Sequence, residues 1–76
     1  MKTVHLSFHG NVFQPGVTSP AKMTEHHFSG TLSLCEIISL YKMVSNVKLS
    51  LNGELVTELN HLLEDGDELH FFRPVS

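Results

Sequence analysis

The stretch Leu63-Glu64-Asp65-Gly66-Asp67-Glu68-Leu69-His70-Phe71-Phe72-Arg73-Pro74-Val75-Ser76 decides the reading of this chain. An acidic turn with a central glycine launches a run in which Leu69 and Phe71 alternate with His70 and Phe72, the period-two signature of a half-buried strand. Pro74 then fixes φ and offers no backbone N–H, so the sheet ladder stops there. A terminal strand held by two apolar anchors presents the residues after it as an extended arm, which makes residues 72–76 the expected working end.

Working back from that strand, Val47, Leu49 and Leu51 alternate with polar residues, Asn52-Gly53 comes next, and Glu54-Leu55-Val56 resumes an extended run. Asn-Gly tolerates positive φ at both positions of a type I′ turn, so these runs read as the third and fourth strands of a hairpin. Thr57 to Leu63 is too short and mixed for a long helix; a loop or single helical turn is expected, tucking Leu59 and Leu62 under the sheet. Further upstream the period changes. Leu34, Ile37, Ile38, Tyr41 and Val44 fall at helical spacing, and Ser33-Leu34-Cys35-Glu36 forms a capping box, which predicts a helix from about Leu34 to Met43. Leu32 and Ile37 occupy the staple positions that set the entry angle, and Lys42 near the helix end suits the dipole.

At the start of the chain, Lys2 to Phe8 alternates Val4, Leu6 and Phe8 against Thr3, His5 and Ser7, with His9 continuing the polar side; this is the first strand. Gly10 to Ala21 is rich in Gly, Pro, Asn and Ser, so an irregular loop is expected, with Val12 and Phe13 available to extend a hairpin arm. Lys22 to Phe28 reads as the second strand, with Met23 and either His26 or Phe28 in the core. The order is hairpin, helix, hairpin, final strand. It gives an α+β fold of the β-grasp (ubiquitin-like) type: a mixed sheet of four to five strands with one main helix packed on one face. Only one face of such a sheet is covered, which accounts for alternating rather than continuous apolar runs.

Size and charge narrow the function. Seventy-six residues support one core, so residues 1–76 are expected to form a single domain with a short exposed arm at about 72–76. The net charge is −3 with only five scattered Lys and Arg, which leaves no basic footprint for nucleic acid. No run approaches the ~18–20 apolar residues of a membrane span, and the first residues lack a signal-peptide core, so no membrane partner and a cytoplasmic location are expected. Cys35 stands alone, which sets aside an internal disulfide, a four-thiolate iron–sulfur cluster and a Cys-x-x-Cys redox pair.

Leu51-Asn52-Gly53-Glu54-Leu55-Val56, Leu62 or Leu63, Asp65-Gly66-Asp67-Glu68-Leu69 and Phe71-Phe72-Arg73-Pro74-Val75-Ser76 together resemble the ubiquitin-like sulfur-carrier family. The likeness is greatest to the small subunit of molybdopterin synthase, with the thiamine-pathway sulfur carrier next. The resemblance is detailed from about Leu49 to Ser76 and extends upstream only as a pattern. It implies a carrier without an active site or cofactor of its own, whose terminal glycine carboxylate is adenylated by a ubiquitin-activating-type enzyme, converted to a thiocarboxylate and inserted into the synthase large subunit. On this resemblance Phe72, Arg73, Pro74, Val75 and Ser76 are the partner-binding residues. Arg73 replaces the first proline of the family's arm, and the closing Gly-Gly, whose lack of Cβ atoms suits a narrow channel, does not appear after Ser76. The alternative reading is a non-conjugating β-grasp binding module that serves as an accessory or regulatory subunit.

The remaining chemistry-bearing residues read more plainly. Of six histidines, His5 and His9 share one face of the first strand and His70 is expected beside His5, a set that would suit zinc or nickel. Without a Cys or carboxylate at ligand spacing, solvated residues on an open face are the expected state, and no metal is assigned. His26 and His27 point to opposite faces. Phe72 faces outward as a natural anchor or folds onto the core edge, and Arg73 pairs with a partner or is solvated. Cys35 in the first helical turn reads as a small packing residue, and Asp65, Asp67 and Glu68 read as a solvated acidic turn. No catalytic residues are assigned.

Overall fold

The computed structural model describes residues 1–74, which form five strands and one α-helix. In chain order these are β1 (Lys2–His9), β2 (Met23–Phe28), α1 (Leu34–Leu40), β3 (Lys48–Leu51), β4 (Glu54–Val56) and β5 (Glu68–Phe72). The sheet order is β2-β1-β5-β3-β4, with β1 and β5 parallel at its centre and every other pair antiparallel. Because side chains alternate across a strand, Val4, Leu6 and Phe8 of β1, Leu49 of β3 and Leu69 and Phe71 of β5 all fall on the helix side, where they are buried. This is the α+β, β-grasp arrangement that the alternating runs predict.

Local chemistry fixes each end. Asn52 and Gly53 both have positive φ, +52° and +89°, and the register Leu51 opposite Glu54 makes the predicted two-residue hairpin. Ser33 caps α1 through both halves of the capping box: its hydroxyl accepts from the Glu36 N–H at 3.2 Å, and the Glu36 carboxylate accepts from the Ser33 N–H at 3.2 Å. Leu32 and Ile37 both lie in the core.

The helix ends at Leu40, a turn short of the expected Met43. Lys42 takes a left-handed φ of +52°, its N–H donates to Ser39, and the Met43 N–H donates to Ile38. That double closure is a Schellman motif with lysine where glycine is usual, so Lys42 stands beyond the helix rather than in its last turn. Met43 then bridges to Phe13.

The loops depart furthest from expectation. Val12 and Phe13 extend no hairpin arm; both are buried, with the Phe13 ring 5.0 Å from that of Phe8. Met23 is 76% exposed because β2 lies in the register Ser7 opposite Met23 and Val4 opposite His26. That pairing sends Met23 to the open face and turns His26 and Phe28 inward. In the segment 57–63 it is Leu63 that enters the core, held by a bond from its N–H to Leu32 O at 2.8 Å, whereas Leu59 and Leu62 stay exposed.

In the acidic turn Asp65 and Glu68 are exposed as expected, whereas Asp67 is structural. Asp67 is buried and accepts from the Glu64 N–H at 2.8 Å and from the Asn52 side-chain amide at 3.0 Å. The Asn52 carbonyl oxygen accepts in turn from the Glu68 N–H at 2.9 Å, and Asp65 accepts from the Thr3 N–H at 2.8 Å. Two turns remote in sequence are thus stitched together, and the acidic one is tied to the start of β1.

Candidate partner-docking site at the end of the last strand

β5 divides its side chains cleanly. Leu69 and Phe71 have no exposed surface, while His70 and Phe72, one step along in each case, emerge half-buried on the open face. Phe72 sits between His9 of β1 and Lys48 of β3 in the register. Beside it runs a groove of about 360 Å³ lined by Val47, Lys48, Leu55, Val56, Leu59 and Phe72, among others. Leu55 is 66% exposed; its position opposite Ser50 results from the two-residue Asn52-Gly53 turn, which puts it on the same face as Phe72.

Phe72 faces outward, half-buried, and lines the groove; it is not among the partly buried hydrophobics packed against the core. Arg73 and Pro74 come directly after it and are exposed. The other two arm residues assigned to partner contact, Val75 and Ser76, lie outside the described residues. The alternation of β5 finds Phe72, whereas Val47, Leu55 and Leu59 escape a sequence reading as a group because three segments bring them together. The hairpin register is the available signal for Leu55.

The histidines are arranged differently from expectation. His70 lies opposite Ser7 and makes its contact with His9, Nδ1 to Nε2 at 2.9 Å, with the rings 5.2 Å apart and nearly parallel. His5 is one register step away, between Glu25 and Glu68, so the expected His5–His70 neighbourhood does not form. Among the described residues no group of three or more His, Cys, Asp or Glu converges to hold a metal. His26 and His27 do point to opposite faces: His26 meets the Tyr41 hydroxyl at 3.0 Å, and His27 meets the Thr3 hydroxyl at 2.8 Å. Burial pushes the Tyr41 phenol above the usual tyrosine value. Cys35 is exposed instead of serving as a packing residue. Among the described residues no helix is long and apolar enough to cross a membrane.

A mixed five-stranded sheet with a central parallel pair and one helix across it is the ubiquitin-like β-grasp fold. In keeping with this, the chain superposes on the crystal structure of SAMP1 from Haloferax volcanii with a TM-score of 0.69, covering 97% of each chain at 16% sequence identity. The likeness is one of fold. No protein-family model matches the sequence, and no curated protein matches it.

Proposed function

We propose that this chain is a sulfur-carrier-type protein of the molybdopterin synthase small-subunit kind, which works in the cytoplasm by docking its C-terminal arm into larger enzymes. The observation that carries this reading is the end of β5. Phe72 rests half-buried beside an apolar groove while Arg73 and Pro74 stand exposed immediately after it. A rigid sheet holds the base of the arm, so a partner that grips Phe72 receives the residues beyond it in a set direction with little further loss of chain entropy. The ubiquitin-like fold supports the same architecture.

In this reading the chain is a domain of residues 1–76 whose arm is a reactant and not a catalyst. Phe72 is the anchor, Arg73 meets a partner carboxylate, and Pro74 keeps the arm extended. Val75 and Ser76 lead into the partner's channel. The partners are an ATP-dependent adenylating enzyme of the ubiquitin-activating type and the large subunit of the synthase. The adenylating enzyme joins the arm's terminal carboxylate to AMP with release of pyrophosphate, and a sulfide donor then displaces AMP to leave a thiocarboxylate.

The groove beside Phe72 favours one further reading, in which the same surface docks an accessory or regulatory module without any transfer of sulfur. Docking itself is tested by titrating the adenylating enzyme of the protein's own source with the wild-type chain and with Phe72→Ala. The substitution is expected to weaken the complex by more than about 2 kcal/mol, roughly thirtyfold. An unchanged affinity would remove Phe72 from the interface.

A further inference from the structure

The His9–His70 pair has no part in the docking reading, and its geometry has a chemistry of its own. Two ring nitrogens approach to 2.9 Å on the open face. They are borne by β1 and β5, the central parallel pair of the sheet. His9 is exposed and His70 half-buried, which leaves room for an ion and its remaining water ligands. The neighbours of His70 in the register are Ser7 and Ser50, and those of His9's partner Phe72 include Lys48. No carboxylate occupies these positions.

From this arrangement we propose that His9 and His70 form a two-imidazole site for a copper(II)- or nickel(II)-class divalent ion, with water in the remaining positions. The separation is compatible with that class. With metal–nitrogen bonds of about 2.0–2.1 Å, two nitrogens 2.9 Å apart subtend about 90° at the metal, the angle between cis positions of a square-planar or octahedral ion. A tetrahedral angle needs the nitrogens about 3.3–3.4 Å apart at the same bond length, a few tenths of an ångström wider than the hydrogen-bonded pair. Glu68 shares the face two residues before His70, but among the described residues no carboxylate converges with the pair into a three-ligand group; an all-imidazole pair suits the nitrogen-preferring end of the divalent series, copper(II) and nickel(II), over magnesium, calcium and manganese.

Loading needs only local change. In the neutral pair one imidazole donates its N–H to the other, so that proton must move to the donor ring's second nitrogen through solvent. Each ring then offers one lone pair, and two waters leave the ion. The rings are 17° from parallel and must tilt about χ2, a broad torsion in histidine.

The test uses the full chain and copper(II) as the probe. Equilibrium dialysis at neutral pH is expected to give one high-affinity ion per chain, and electron paramagnetic resonance a two-nitrogen equatorial signature. His9→Gln and His70→Gln should each weaken binding at least tenfold and remove that signature, whereas His5→Gln and His61→Gln should leave both intact. A readout that needs no variant is NMR on the wild-type chain: substoichiometric copper(II) should broaden the ring signals of His9 and His70 before those of the other four histidines. Copper binding with unchanged affinity in the His9→Gln/His70→Gln double variant, or earlier broadening at another histidine, would overturn the proposal.

Discussion

Phe71 and Phe72 are adjacent residues of one type on one strand, and they belong to different halves of the molecule. Phe71 has no exposed surface, its ring 5.7 Å from that of Phe8 and its backbone opposite Leu49. Phe72 stands half-buried on the other face between His9 and Lys48. The covered face carries the stability of the fold, with Val4, Leu6, Leu34, Ile37, Leu49 and Leu69 all buried around Phe71. The open face carries an apolar groove and an imidazole pair, and Arg73 and Pro74 stand exposed just beyond it. Period-two alternation alone separates the two roles, so one residue of slip in β5 would exchange them.

The largest expected effect tests that separation directly. Phe71→Ala should cost about 3–5 kcal/mol of stability through lost burial and the cavity left behind, whereas Phe72→Ala should cost about 1 kcal/mol, in line with its partial burial. Urea denaturation of both variants measures the difference, and equal losses would break the comparison.

A smaller effect concerns what holds β5 in register. Removing the Asp67 carboxylate strands the Glu64 N–H and the Asn52 side-chain amide, so Asp67→Ala should destabilise by about 2–3 kcal/mol. If Asp67→Ala left both stability and the β5 amide exchange protection unchanged, the register would have to rest on alternation alone.

The smallest effect sharpens the description of the covered face. The Tyr41 phenol lies partly buried beside His26, and burial raises it above the usual value, about 10 for tyrosine. A raised value in the folded state means that folding favours the protonated phenol. The contribution is therefore complete below pH ~10 and is lost as pH rises toward the folded-state value. The melting temperature of the wild type should fall more steeply above pH ~10 than that of Tyr41→Phe, as monitored by circular dichroism; parallel slopes would place Tyr41 in water.

These contrasts also show which parts of the architecture the sequence makes legible. β1, β3 and β5 are readable because each alternates over several residues against a single covered face. The Asn52-Gly53 turn and the Ser33 cap are readable because their residue types match a backbone need. The helix end is not, since it relies on Lys42 holding a left-handed conformation that sequence normally signals with glycine. The burial of Asp67 is hidden because its partner, Asn52, is fifteen residues away. Leu59, Leu62 and Leu63 are equally apolar, and the backbone bonds that tie this segment to residues 32–35, remote in sequence, accompany the entry of Leu63 alone into the core.

The site divides in the same way. The outward position of Phe72 is legible from the alternation of β5. The groove is not, because Val47, Leu55 and Leu59 come from separate segments, and the His9–His70 contact depends on the parallel offset of β1 and β5, which no local pattern reports.

The measurement that tests the carrier reading most directly is an intact-mass spectrum of the protein from its own source, before and after incubation with its adenylating enzyme, ATP and a sulfide donor. The reading predicts a gain of about 16 Da, sulfur in place of one oxygen of the terminal carboxylate, on a chain extended by two glycines beyond Ser76, by analogy with the family it resembles; glycine is the residue that lets an arm thread a narrow channel. A native chain ending at Ser76 whose mass the treatment leaves unchanged would contradict it and leave the open face as a docking surface without sulfur chemistry.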